Sequence, residues 1–440
     1  MARRLTVLGT GYLGATQAAC MASLGFEVLA VDIDAARIEA LGRGELPFFE
    51  PGLEQLVRRG LDSGALSFTT SYQQAAEFGE VHFCCVGTPQ SAGSGRADLS
   101  QLWSCIGTLA PLLRRPCLVV GKSTVVAGTA AAVARRLAGL APAGAGAELA
   151  WSPEFLREGY AVADTLRPER IVAGVSSSRA AAALRELYAE PIAAGVPFVE
   201  TDLATAELVK VAANAFLATK ISFINAMAEV CEAAGADVAQ LADALGYDHR
   251  IGPAGLRPGL GFGGGCLPKD IRAFTAWAAD QGVGDALAFL REVDEINLRR
   301  RARLVELAAE LAGGSLRGCR VGVLGLAFKP DSDDIRDSPA LEVAAALHQR
   351  GAVVTGYDPA AMGNARRLHP ELRYAASLID VATDADLLLL LTEWPEFRQA
   401  DPQLLGKTVA RRVIADARHV LDPAAWQAAG WIYRAPGRPA

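Results

Sequence analysis

The stretch RLTVLGTGYLGATQAACMASLGFEVLAVDID, Arg4 to Asp34, decides the reading of the fold. It runs as a short apolar strand, a glycine turn, a helix and a second apolar strand. Gly9, Gly11 and Gly14 make G-x-G-x-x-G directly after the apolar run Leu5 to Leu8, and Asp32 ends the next run, 18 residues after Gly14. Glycines at these places let backbone amides approach a pyrophosphate at a helix N-terminus, and an acid about 20 residues on accepts hydrogen bonds from ribose hydroxyls. A carboxylate there repels a 2′-phosphate, so NAD is the expected cofactor rather than NADP.

Further strand-then-loop units follow in VHFCCVGTP (Val81 to Pro89), CLVVGKST (Cys117 to Thr124) and ELAWSPEFLREG (Glu148 to Gly159). In an open parallel sheet the carboxyl ends of the strands face the ligand crevice, so Thr88, Lys122, Thr124, Glu154 and Glu158 are expected near the cofactor. The alanine-rich APAGAGAE, Ala141 to Glu148, reads as a surface loop. From about Thr201 to Ala234 the pattern becomes one long helix, without proline or glycine and apolar on more than one face. Such a helix fits a spine between domains or a subunit interface better than a surface position. Lys210 and Asn214, four residues apart, share one of its faces. A second strand, loop, helix and strand opens at RVGVLGLAFKPDSDDIRDSPALEVAAALHQRGAVVTGYDP, Arg320 to Pro359, where Gly322 and Gly325 do not complete the dinucleotide pattern. DLLLLLTEW and RRVIADARHVLD continue it. The expected fold is α/β, with two doubly wound, Rossmann-like domains joined by a long central helix.

Composition agrees with a globular chain of two or three domains: 440 residues, 51% hydrophobic and 21% charged. Net charge is −6, from 43 basic and 49 acidic residues, with no basic tract, so nucleic acid is not an expected partner. The longest apolar run, DLLLLLT, reads as a buried strand, well short of the roughly 20 residues of a membrane span, and the N-terminus has no cleavage region, so a cytoplasmic protein is expected. The 8 cysteines show no CxxC and the five histidines no HExxH, which argues against a metal or disulfide framework. Only 6 basic residues are lysines, against 37 arginines. Lys122, Lys210, Lys220, Lys269, Lys329 and Lys407 are therefore informative, because a titratable amine can carry a proton where guanidinium cannot.

The run LGFGGGCLPKD, Leu260 to Asp270, sets Cys266 at the end of a glycine series with Lys269 and Asp270 just beyond. Glycines and charges around a thiol argue against an inert core cysteine and for a nucleophile.

GTGYLG, VGTP, KST, SPEFLREG, AELVKVAANAF, FGGGCLPKD, FKPDSDDIRDSP and DARHVLD occur in the order found in the UDP-glucose/GDP-mannose dehydrogenase family, which the chain resembles over nearly its whole length. The resemblance implies oxidation of a nucleotide sugar's 6-hydroxymethyl group to a carboxylate, consuming two NAD and one water. It implies a division into residues 1–200 (NAD-binding), 201–300 (central helical and dimerisation region with the cysteine loop) and 301–440 (nucleotide-sugar-binding). By the same resemblance Lys210 and Asp270, with a water between them, take the hydroxyl proton. Cys266 forms the thiohemiacetal and then the thioester, Lys210 and Asn214 hold the oxyanion, and Glu154 with Thr124 directs the hydrolytic water. The cofactor residues implied are Gly9, Gly11, Tyr12, Leu13, Gly14, Asp32, Arg37, Thr88, Thr124, Glu158, Lys269 and Arg336. The sugar nucleotide falls to Phe155, Leu156, Glu158, Lys210, Asn214, Phe262, Gly263, Gly264, Leu267, Phe328, Lys329 and Arg418, with Arg250 reaching across a homodimer built on the central helix. The glycines before Cys266 are expected to let the loop backbone lie against the hexose and diphosphate. The chain departs from the family pattern at Gly87, Val126 and Gly265.

UDP-glucose is the first expectation for substrate, with dTDP-glucose and GDP-mannose as alternatives. Two other readings stand beside it: a two-electron hydroxyacid dehydrogenase, which uses a lysine and an asparagine on the central helix but no cysteine, and a dinucleotide-sensing regulator without activity.

Overall fold

The computed structural model describes residues 3–439. The chain forms two compact units, Met1–Ala213 and Asn214–Ala440. The first carries strands β1 (Arg4–Leu8), β2 (Glu27–Val31), β3 (Leu66–Thr69), β4 (Val81–Cys84), β5 (Cys117–Gly121), β6 (Ala147–Trp151), β7 (Ile171–Val175) and β8 (Phe198–Thr201). They make one sheet in the order β3-β2-β1-β4-β5-β6-β7-β8. The first six places are the doubly wound order, whose reversal between β1 and β4 opens a crevice at the strands' carboxyl ends. Leu5 and Val7 of β1 enter one apolar layer and Leu8 the other, because successive side chains point to opposite faces and helices cover both.

The sheet is mixed, where the sequence pattern predicts an open parallel one. β7 pairs antiparallel with β6. The connection between them holds only the short helix Ala161–Leu166. The chain thus turns back at the end where β6 finishes instead of crossing a face, which a parallel return requires. Nor is Ala141 to Glu148 a simple surface loop: it holds a 3-10 turn, Gly144–Gly146, and the start of β6.

In the second unit β9 (Arg320–Leu324), β10 (Val353–Tyr357), β11 (Arg373–Tyr374), β12 (Leu387–Leu390), β13 (Val413–Asp416) and β14 (Ile432–Arg434) form a parallel sheet in the order β11-β10-β9-β12-β13-β14. This is the same permutation. All four leucines of β12 are fully buried, which accounts for the unbroken apolar run at that point.

The long helix spans Leu203–Ala234, and the boundary between units falls inside it. It starts later than the periodicity indicated because Thr201 completes β8 and Asp202 caps the helix, accepting from the Thr205 amide at 2.8 Å. Gly235, at φ +70°, ends it. Its length and a mean hydropathy of 1.3 would suit a membrane span on composition alone. Its buried Glu207, Lys210, Asn214 and Asn225 all bond to protein groups, which is how a core helix behaves.

Candidate active site

In the first unit two glycines of the turn, Gly9 and Gly14, each have their own steric reason. Gly9 has φ +88°, and a Cβ on Gly14 would lie 1.7 Å from the Gly9 carbonyl oxygen, so only glycine allows the helix Tyr12–Ser23 to pack this close to β1. A Cβ on Gly11, by contrast, would meet nothing within 4 Å. The open space lies at the helix N-terminus, and no acidic residue of the first turn competes for its amides. Asp32, just past β2, accepts from the Thr10 amide (2.7 Å), the Thr10 hydroxyl (3.0 Å), the Asp34 amide (3.1 Å) and Arg37 (3.0 Å). Burial alone would raise its carboxyl, but these donors and the Arg37 charge outweigh burial and hold it below the ordinary value of 3.8. It is a carboxylate at neutral pH. An open cradle for a diphosphate, followed by an ionised acid at the ribose position, fits NAD.

The loops after β4 and β5 are tied together where the Thr88 hydroxyl donates to the Thr124 carbonyl at 2.8 Å. Lys122 in the same KST run turns its amine to the Tyr188 hydroxyl, 3.5 Å away, and to that ring, a buried contact instead of the crevice position expected of it. Lys210 and Glu154 form an ion pair at 3.1 Å with side chains 5% and 12% exposed. The other Glu154 oxygen accepts the Leu156 amide at 2.6 Å, and the Lys210 amine also lies 5.5 Å from the Phe155 ring. A cationic donor and a carboxylate base are thus held together with little solvent to weaken either. One turn before Lys210, the buried Glu207 accepts from the amides of Gly128 and Ala130, fixing the start of the helix Thr129–Leu140 that follows KST. A lone acid in an apolar stretch was the signal for it, and the motif reading passed over it.

In the second unit the cysteine loop rests on the loop after β9. A Cβ on Gly263 would meet the Asp337 carbonyl at 2.2 Å, one on Gly264 the Phe328 ring at 2.8 Å, and one on Gly265 the Arg336 guanidinium at 2.3 Å. The side-chain space of these glycines is therefore filled by protein, which gives each a packing reason to be glycine apart from any ligand. Only their backbones are available to a ligand. The Gly264 amide donates to the Arg336 carbonyl (2.9 Å), and Phe262 is held by paired hydrogen bonds with Asn297, a residue no motif marked.

Cys266 is exposed and is the N-cap residue of the helix Leu267–Asp280, where the helix dipole favours an anion. Asp270, 3% exposed, accepts from the Asn214 amide (2.6 Å) and pairs with the Lys269 amine (2.5 Å). Arg418, after β13, donates to the Leu391 and Phe328 carbonyls and pairs with Glu393, which sets it at the point where the strand order reverses between β9 and β12. Lys329 lies 5.7 Å from the Phe328 ring. Arg250 is apart from these groups, mostly in solvent and paired with Asp248.

Three family models match the chain in order. They are described as the NAD binding domain (residues 3–192), the central domain (residues 204–299) and the UDP binding domain (residues 322–423) of the UDP-glucose/GDP-mannose dehydrogenase family. A UDP-glucose 6-dehydrogenase of Rhizobium meliloti is 41% identical over 99% of this chain and 100% of its own length. UDP-glucose 6-dehydrogenase TuaD of Bacillus subtilis is 39% identical over 100% of this chain and 94% of its own. Among solved structures, a UDP-glucose dehydrogenase from Pyrobaculum islandicum superposes with a TM-score of 0.91 at 36% identity, covering 100% of this chain and 98% of that one. With the glycine cradle, the ionised Asp32 and full-length matches in agreement, the chain belongs to the UDP-glucose/GDP-mannose dehydrogenase family and is an NAD-dependent oxidoreductase.

Proposed function

We propose that the protein is a UDP-glucose 6-dehydrogenase, converting the 6-hydroxymethyl group of UDP-glucose to the carboxylate of UDP-glucuronate. Residues 1–200 would serve the cofactor, 201–300 the thiol chemistry and dimerisation, and 301–440 the nucleotide. The observation that carries this reading is the exposed Cys266 at a helix N-cap, one turn before a buried Asp270 held by Asn214 and Lys269. Neither a two-electron hydroxyacid enzyme nor an inactive sensor needs that arrangement.

NAD, when bound, accepts the hydride in each of the two oxidations. Lys210 and Asp270 take the hydroxyl proton in the first. The Cys266 thiolate then adds to the aldehyde carbon, giving a thiohemiacetal whose oxygen Lys210 and Asn214 stabilise through their N–H groups. Loss of the second hydride leaves a thioester. Glu154 removes a proton from a water held by Thr124, the water oxygen bonds to the carbonyl carbon, and the C–S bond breaks to return the thiolate. One water is consumed and four electrons leave the sugar carbon.

The apolar Phe216, Leu217, Phe223 and Val230 stand exposed on the long helix, which supports a homodimer built on it. Arg250, on an exposed turn, would complete the neighbouring subunit's sugar site. We place the enzyme in the cytoplasm, with no nucleic acid or membrane partner.

The test counts NADH per sugar over a panel of UDP-glucose, dTDP-glucose and GDP-mannose. Two per UDP-glucose is the expected result. One would favour the hydroxyacid-type reaction, none the sensor, and a preference for another sugar nucleotide would move the substrate assignment.

A further inference from the structure

We propose that Glu50 is a positioning residue for the dinucleotide, acting through Tyr12 and residues 157–161 of the same unit. The inference rests on the NAD reading of that unit. Glu50 lies in PFFEPGL and is 4% exposed, a placement a carboxylate tolerates only when donors surround it. One oxygen accepts from the Tyr12 hydroxyl and from the Gly159 amide at 2.6 Å; the other accepts from the Ala161 amide at 2.7 Å. The Gly159 amide also donates to the Tyr12 hydroxyl oxygen at 3.0 Å, which closes the network.

Tyr12 and Gly159 belong to segments that face the dinucleotide in the family reading, and the buried Ala161 opens the helix Ala161–Leu166 just beyond the second of them. Tyr12 is the first residue of the helix that follows the glycine turn, and its ring packs on Phe48 at 4.9 Å between centroids. Burial first, then the hydrogen bond and charge of Glu50, push the Tyr12 phenol far up, so it remains a neutral donor at every working pH. Gly159 follows Glu158, whose own charge reaches the Tyr12 phenol. One buried carboxylate therefore links the pyrophosphate turn to the SPEFLREG loop across 147 residues of sequence. In Glu50→Gln one oxygen becomes an NH2 group that cannot accept, so either the Ala161 amide or the Gly159 amide and Tyr12 hydroxyl lose their acceptor, and the turn and loop lose part of their mutual register.

The test uses full-length enzyme with Glu50→Gln, Tyr12→Phe and the double variant. NAD and UDP affinities are measured by titration calorimetry, beside steady-state KM for NAD and kcat. We expect Glu50→Gln to raise the NAD Kd and KM about tenfold, to lower kcat by less than about threefold and to leave the UDP Kd unchanged. Tyr12→Phe should give a smaller rise, about threefold, and the double variant should fall short of the product of the two because they act through one network. A Glu50→Gln enzyme with an unchanged NAD Kd and only a lowered melting temperature would overturn the inference, and so would fully independent effects. If Glu50→Gln does not fold, Tyr12→Phe decides alone: an unchanged NAD Kd refutes the link. Wild-type enzyme that bound UDP but not NAD would remove the cofactor reading itself, a result distinct from normal NAD binding by both wild type and variants.

Discussion

The turn after β1 and the turn after β9 occupy the same place in two sheets of the same strand order, and their acids share one bond to the turn but differ in how much more of it they take up. In the first, the Gly11 side-chain position faces open space, and Asp32 stands beside Arg37 at the edge of that space. In the second, the amides of Leu326 and Ala327 donate to Asp358 at 2.8 and 3.0 Å, and Asp358 also accepts from Ala360, Ala361 and the Trp394 indole. A Cβ on Gly325 would lie 2.3 Å from that of Thr392. The first amide after the glycine is bonded to the acid in both turns, Thr10 to Asp32 and Leu326 to Asp358; the next one, Ala327, is also taken by Asp358 in the second turn, while Asp32 takes no amide from Gly11. A doubly wound sheet thus offers a crevice, and what fills its first turn decides whether a dinucleotide can use it.

The largest expected effect separates the chemistry of the second unit from the binding of the first. Cys266→Ala should lower uronate formation by more than about 10³-fold while leaving the NAD Kd unchanged, as product analysis and calorimetry would show. Retained four-electron turnover would remove the thioester step.

Next comes the first turn. Gly11→Val puts a side chain into the open cradle, and Asp32→Ala removes the ribose acceptor; each should raise the NAD KM by about 10- to 100-fold with a small change in melting temperature. The matching change in the second turn, Asp358→Ala, should do the reverse. NAD KM stays put, while denaturant unfolding loses about 3 kcal/mol or more, because buried donors are orphaned. An NAD effect from Asp358→Ala would break the comparison.

The smallest effect concerns the sign of pH dependence at two buried acids. Asp32 is held below 3.8, so its contribution to stability is present above that value and lost as pH falls through its folded-state value. Glu207 is held above 4.5 by burial, only partly offset by the Ala130 and Gly128 amides. Its contribution is full below 4.5 and lost as pH rises through the raised value. Melting curves should therefore show wild type losing on Asp32→Asn as pH falls below about 4, and losing on Glu207→Gln as pH rises above about 4.5. Each trend is on the order of 1 kcal/mol or less.

Much of this was readable before any coordinates. Gly9, Gly14 and Asp32 obey a local rule, since turn, helix and strand follow each other directly, and the run at Leu387 to Leu390 could hardly be anything but a buried strand. The long helix, with Lys210 and Asn214 on one face, followed from its periodicity. Harder to see were Glu50 and Glu207, whose partners lie from 38 to 111 residues away and whose surroundings carry no motif. The antiparallel β7 escaped because strand direction depends on the path of a connection, and composition does not record that path.

The glycines of Gly263 to Gly265 mark the division most plainly. Local chain statistics announce that side chains are unwelcome there and that Cys266 ends the run. Only folding shows that Asp337, Phe328 and Arg336 fill the space, because those residues come 60 to 80 positions later in the chain. Spacing along the chain sets which elements form and which groups share a face, since those depend on neighbours a few residues away. Which atoms occupy a neighbour's space, and whether an acid such as Asp32 or Asp358 is left for a ligand, depends on contacts between distant segments that exist only once the sheets have assembled.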